Sequence, residues 1–185
     1  MKHPSNRAFF AYWDDKRCGG AAPERSEIEP SEVRDLLADI FVLSYDADTY
    51  PFRVAGTRVC ALLGRDLKGQ GFAALFAPDS RSEVADILGI VAEDTLAVIA
   101  GIVAKTTRGD TVNLELLLLP FNTRPHTPLS LTGLLAPFGE PGAGTLGEFT
   151  LTSWRTIGQQ PRRFTPRALR KWSVVQGLTV YEGLR

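Results

Sequence analysis

The side chains able to do chemistry are few and scattered. The chain has two histidines and two cysteines, too few for a conventional structural zinc site. A haem iron needs an axial ligand, usually His, on an element beside the porphyrin. His3 stands at the start of the chain, and His126 lies in Arg124-Pro125-His126-Thr127-Pro128, a loop between strand-like runs. Both read as solvated side chains, and haem is disfavoured. Cys60 falls on an apolar face beside Val59, Leu62 and Leu63 and reads as a buried structural thiol; Cys18 stands in a more exposed context. No Ser-His-Asp, Cys-His or paired-carboxylate arrangement stands out: Asp14-Asp15 fits a solvated helix face, and Asp46 and Asp48 fit a turn. Little is left for general acid–base work, and the chain is not expected to be an enzyme.

One formal motif remains. Gly142-Ala143-Gly144-Thr145-Leu146-Gly147 matches G-x-G-x-x-G. A dinucleotide site needs such glycines to turn a strand into a helix whose N-terminus holds the phosphates. Here Glu140-Pro141 precedes the glycines, and Glu148 to Thr152 follows in a strand-like pattern. The segment reads as a Gly/Pro loop leaving the last strand.

The elements that must position any site follow from composition and periodicity. The 185 residues fit about one domain plus an extension. Hydrophobic residues make up 44%, which supports a packed core. Lys+Arg and Asp+Glu number 21 each, so the whole chain does not seek a polyanion. The charge is uneven, however: residues 1–100 hold 11 basic and 16 acidic residues, and residues 101–185 hold 10 and 5. From Arg155 onward, seven basic residues face Glu182 alone. The longest apolar run, Leu96 to Ala104, has nine residues, against about 20 for a membrane span. With no export signal and few cysteines, the chain is expected to be cytoplasmic.

Residues 5–17 read as a helix capped by Ser5, with Phe9 and Trp13 on one face. A second helix opens at Pro30, with Val33, Leu36, Leu37 and Ile40 as its stripe. Two strand-like runs follow, Ile40 to Tyr45 and Tyr50 to Gly56. Three short helices come next: Thr57 to Leu63, a turn around Phe72 to Phe76, and one opened by a Ser80-Arg81-Ser82-Glu83 capping box. Leu96 to Thr106, Val112 to Leu119 and Leu129 to Ala136 read as strands, the first two joined by an Arg108-Gly109-Asp110 hairpin turn. Strands joined by short turns are antiparallel. The expected body is α+β: a five-stranded antiparallel sheet with short helices on one face.

That element order resembles a PAS domain. Gly64-Arg65-Asp66-Leu67-Lys68-Gly69 is similar to the PAS segment in which a glycine ends one helix and an acidic-Leu-x-Gly run leads to the next. More closely, the chain resembles a family of stand-alone bacterial PAS proteins, mainly alphaproteobacterial. Tyr12-Trp13, Ala22-Pro23-Glu24-Arg25 through Ile28-Glu29-Pro30, Arg34-Asp35-Leu36-Leu37 and Phe52 through Arg58 carry that resemblance. It implies a cytosolic signalling or scaffolding module without a fused kinase or cyclase, and no catalytic residue. It divides the chain into a helical cap (1–38), a PAS core (39–140) and a Gly/Pro loop with a basic extension (141–185). A flavin photosensor of this fold carries Cys in an Asn-Cys-Arg type motif, with Asn and Gln on the late strands. Around Cys60 the Asn and Arg are missing, and the last strand has no Gln. Flavin is therefore disfavoured too.

Three surfaces carry the functional expectations. In PAS folds a ligand lies between the sheet's inner face and the helices. The lining here is Phe41, Leu43, Phe52, Val54, Leu62, Phe72, Phe76, Leu88, Ile99, Leu116, Leu131 and Gly133. A close-packed core is the plainer reading of that face, and any ligand would be small and apolar. Phe9, Phe10, Tyr12 and Trp13 on the first helix, with Leu117, Leu119 and Leu134 on the sheet, form a candidate interface for a homodimer. Arg162, Arg163, Arg167, Arg170 and Lys171 surround a short helix opened by Thr165-Pro166, a contact for an acidic partner or a polyanion. The favoured function is a signalling or regulatory module acting through protein–protein interaction. A ligand carrier without signalling and a nucleic-acid or nucleotide binder using the tail are the alternatives.

Overall fold

The computed structural model describes residues 1–46, 49–122, 127–139 and 144–157, with the backbone of two further strands at 170–175 and 178–182. Apolar alternation decides the sheet. In β3 (Ala97–Thr106) and β4 (Thr111–Pro120), Val98, Ala100, Ile102, Leu114, Leu116 and Leu118 share one buried face. Their hairpin turns at Gly109, whose φ is +92°, and Thr106 Oγ1 accepts from the Arg108 and Asp110 amides at 3.2 and 3.1 Å. β1 (Ile40–Ser44) and β2 (Phe52–Ala55) form a second antiparallel pair, and β5 (Ser130–Pro137) lies between β1 and β4.

A sixth strand corrects the expected count of five. β6 (Leu146–Ile157) runs antiparallel along the free edge of β3, giving the order β2-β1-β5-β4-β3-β6. The G-x-G-x-x-G segment leads directly into it. Phe149 is fully buried. Ala77 donates to the Phe149 carbonyl at 2.8 Å, and Trp154 Nε1 donates to Glu83 Oε1 at 2.7 Å. Pairing covers an edge that would otherwise expose a row of backbone donors and acceptors.

The inner face is closed by α2 (Thr57–Leu63), α3 (Pro78–Ala92) and a 3₁₀ turn at Phe72–Leu75. α2 ends at Gly64, whose φ of +65° suits glycine. α3 opens at Pro78 with Ala77 as N-cap, two residues before the expected capping box. Ser80 instead accepts from the Leu151 amide at 3.2 Å, so Ser80 and Glu83 both serve contacts with β6. The expected helix from Pro30 is only a 3₁₀ turn, Pro30–Val33, followed by irregular turns.

α1 (Pro4–Lys16) packs on the opposite, outer face. Its start is set by Pro4 at the first helical position and by His3, not Ser5, as N-cap: His3 Nδ1 accepts from the Ser5 amide at 3.2 Å. Its end is set by Cys18 and Gly19, both at positive φ. Beyond the main sheet, β7 (Arg170–Val175) and β8 (Leu178–Glu182) form a two-stranded antiparallel pair. Arg170 and Lys171 thus belong to a strand, which corrects the expected helix there. Arg162, Arg163 and Arg167 lie outside the described residues, as do His126 and Asp48.

Candidate functional site

Every third or fourth residue of α1 turns inward. Asn6, Phe9 and Trp13 are buried, the last two against Leu117, Leu119, Leu134, Ala97, Ile99 and Ala136 of the sheet. Trp13 also donates from Nε1 to the Pro120 carbonyl at 2.9 Å, so its one polar atom is satisfied inside the contact. Phe10 and Tyr12 flank it half-buried, and the Tyr12 hydroxyl accepts from the Glu29 amide at 2.8 Å. Lys16 bridges to Glu32 at 2.7 Å. The segment after α1 thus folds back and holds the helix from behind.

The proposed interface residues are therefore brought together, but within one chain. Leu117, Leu119 and Leu134, candidates for a homodimer interface, are each fully buried beneath α1. Apolar surface on the helix and apolar surface on the sheet satisfy each other.

At the helix start stands a group that sequence reasoning missed. Glu115, on β4, is only 6% exposed. Its carboxylate accepts from the backbone amides of Lys2 and His3 at 2.7 and 2.8 Å and from Asn6 Nδ2 at 3.1 Å. Asn6 Nδ2 also reaches the Glu115 carbonyl at 3.1 Å. Burial pushes the Glu115 carboxyl up, but the Lys2, His3 and Asn6 donors outweigh it and hold it below the usual carboxylate value. The carboxylate is a latch between the sheet and the N-terminal end of α1. The only sequence signal was a charged residue on a strand otherwise becoming continuously apolar. Beyond the latch the outer face opens into a concavity of about 760 Å³, where Lys2, Gly101, Asn113, Phe138, Ser153 and Arg155 meet Glu115.

A second charged pair sits where the cap joins β1. Asp39, 3% exposed, pairs with Arg58 of α2, and its other oxygen has no partner among the described residues. Burial raises the Asp39 carboxyl above its usual value, while the Arg58 charge pulls it back.

The inner face holds most of the expected ligand lining, tightly packed. Phe41 stacks on Phe72 with centroids 5.3 Å apart; Phe52 lies 5.5 Å from Phe41, and Phe76 lies 5.6 Å from Phe72. Leu43, Leu62, Leu88, Leu116 and Leu131 complete the same cluster. At Gly133 a Cβ would meet Phe41 Cζ at 2.4 Å and the Leu117 carbonyl oxygen at 2.7 Å, so the Phe41 ring lies directly on the strand backbone. Two residues leave the expected lining. Val54 is 53% exposed, because a register shift between Val42 and Leu43 puts it opposite Val42. Ile99 packs with the α1 cluster on the outer face. Cys60 is partly buried against the inner cluster. Among the described residues no group of three or more His, Cys, Asp or Glu could hold a metal ion, and no helix is long and apolar enough to cross a membrane.

A family model described as "PAS domain" matches residues 1–136. No curated protein matches the chain. Several solved structures are similar in shape. The LOV protein of Rhodobacter sphaeroides is 12% identical, covering 62% of this chain and 71% of its own, with a TM-score of 0.45. A light-oxygen-voltage domain studied with a flavin analogue is 14% identical, covering 60% and 86%, with a TM-score of 0.46. A PAS domain of a protein from Colwellia psychrerythraea is 13% identical, covering 60% and 98%, with a TM-score of 0.43. The expectation that disfavoured flavin is corrected by these neighbours, which include light-oxygen-voltage proteins, one described with a flavin analogue. The rings of Phe41, Phe52, Phe72 and Phe76 pack against one another between the sheet and the helices.

Proposed function

The chain belongs to the PAS domain family and is a sensory or regulatory module; on that premise we propose that α1 is its output element. In this reading α1 is a removable cover. In place, it hides Leu117, Leu119 and Leu134. Displaced, it uncovers an apolar strip to which a second copy of the chain docks, in the cytoplasm. The observation that supports it is the mode of attachment: α1 lies on the sheet through one helical stripe, one carboxylate at its start and the segment that follows it, whereas the inner cluster is closed by two helices and a 3₁₀ turn.

The trigger acts from the inner face. A small apolar ligand that parts the phenylalanine rings moves Phe41. Through Gly133 that ring bears on β5, and β5 carries Leu134 beneath α1. Ligand and α1 then bias one equilibrium, each favouring one of its two states.

Light scattering across a concentration series tests the output step with Trp13→Ala, which removes the main anchor of α1. The expected result is a discrete dimer, reversible on dilution, at concentrations where the native chain is more dissociated. A variant whose α1 amides have lost protection but whose mass matches the native chain at every concentration contradicts the proposal. So do aggregates of undefined mass.

A further inference from the structure

We infer that a second concavity on the chain, of about 240 Å³, is a binding site for a phosphoryl group. Its lining brings together Arg25, Arg53, Ser44, Ser130 and Asn122 over the buried ring of Phe121. Five segments meet there: the 3₁₀ turn after α1, the ends of β1 and β4, the start of β5, and β2. The fold sets this meeting. Ser44 and Ser130 are register partners across β1 and β5, and Asn122 donates from its amide to the Pro23 carbonyl at 2.8 Å, pinning the segment that carries Arg25.

The chemistry of the lining is one-sided. Two guanidinium groups, two hydroxyls and a carboxamide all offer donors, and no carboxylate is among the described lining residues. Glu27 Oε2, two residues from Arg25, accepts from the Glu24 amide at 2.6 Å. Neither Arg25 nor Arg53 enters an ion pair among the described residues. Two exposed guanidinium groups line one small space, and an anion between them would offset both charges. The guanidinium fork matches the oxygens of a phosphoryl group in bidentate fashion, and serine hydroxyls complete a tetrahedral set of donors. At about 30 Å³ per water, the space holds a phosphate with its first organic atoms.

Occupancy has a structural consequence. Arg25 belongs to the segment that follows α1, and Arg53 belongs to β2. A shared anion ties that segment to the sheet at the end opposite the Glu115 latch.

The test is a titration of the full chain by ¹H–¹⁵N correlation spectra at constant ionic strength, with inorganic phosphate, phenyl phosphate, acetate and chloride. The expected result is saturable shifts at residues 44, 53 and 130 with both phosphoryl compounds. Arg25→Gln and Arg53→Gln should each weaken binding about tenfold or more, the loss of one charge-assisted contact. Tighter binding of phenyl phosphate identifies an organic phosphomonoester as the source; equal binding identifies free phosphate. Both guanidiniums are exposed, so the variants should keep the native spectrum elsewhere. Equal shifts with acetate or chloride, or unchanged affinity in both variants, overturn the assignment.

Discussion

Replacing Glu115 by Gln tests whether the N-terminal end of α1 is held by a single charged group. The native carboxylate accepts two backbone amides and one side-chain amide at 2.7–3.1 Å. Hydrogen bonds to a charged group contribute about 1.5–3 kcal/mol each, and neutral ones about 1 kcal/mol. Glutamine keeps one acceptor oxygen and presents an NH₂ where the second amide donates. The change therefore costs about 2–4 kcal/mol locally. It does not free the whole helix. Phe9 and Trp13 are essentially fully buried, and two such side chains contribute on the order of 3–6 kcal/mol. The expected result is a helix that opens at its first turns while Trp13 stays docked. Amide exchange at residues 5–9 should accelerate roughly 30- to 1,000-fold, at 1.4 kcal/mol per tenfold; exchange in the centres of β3 and β4 should not change. Acid should reproduce the effect in the native chain. The folded Glu115 carboxyl titrates below its unfolded value, about 4.3. Its stabilisation is complete above that value and is lost as pH falls through the lower folded one. The variant should show no such acid step in its α1 exchange. Unchanged exchange at residues 5–9, or equal acceleration in every strand, refutes the latch.

Other positions give independent checks. Arg58→Ala leaves the buried Asp39 carboxylate unpaired. Because Arg58 is itself 57% exposed, water softens the loss to about 1–2 kcal/mol, below the range for a deep pair. Burial raises Asp39, so its penalty applies above its folded value and is relieved as pH falls through it. Urea denaturation should show the variant's deficit at pH 7 closing towards pH 4. Gly133→Ala drives a methyl into Phe41 and a strand carbonyl and should cost about 1–3 kcal/mol, measured by the same denaturation. Tyr50→Phe removes a buried hydroxyl with no partner among the described residues, whose pKa burial pushes up to about 12. Its denaturation midpoint should stay level or rise, by up to about 1 kcal/mol.

The sheet was legible because its strands alternate and its turns are local. Leu114, Leu116 and Leu118 alternate with polar or outer positions, and Gly109 marks the hairpin. What remained hidden depends on long-range partners. The run Leu116 to Leu119 is the signature of a strand covered on both faces, yet which element covers it lies about a hundred residues away, in α1. The strand-like pattern at Glu148 to Thr152 was visible, but its pairing along the distant edge of β3 was not. Ser80 and Glu83 carry the pattern of a local cap but bond to β6. Val54 followed strict alternation until a register shift in β1–β2 moved it outward. Glu115 carries no motif; its role exists only where the helix start, the strand and Asn6 meet. On the inner face most of the residues singled out in the sequence pack in one cluster, Val54 and Ile99 excepted, and its density follows from how the aromatic rings nest.

As an output element, α1 must be a separable cover on the outer face. Native-state hydrogen exchange of the full chain, followed through rising urea below the unfolding transition, measures it directly. The account predicts that amides across α1 exchange through an opening of lower free energy than global unfolding, while the centres of β3, β4 and β5 exchange only when the chain unfolds. If α1 loses protection only in the global transition, together with those strands, the helix is part of the core and cannot act as the output element.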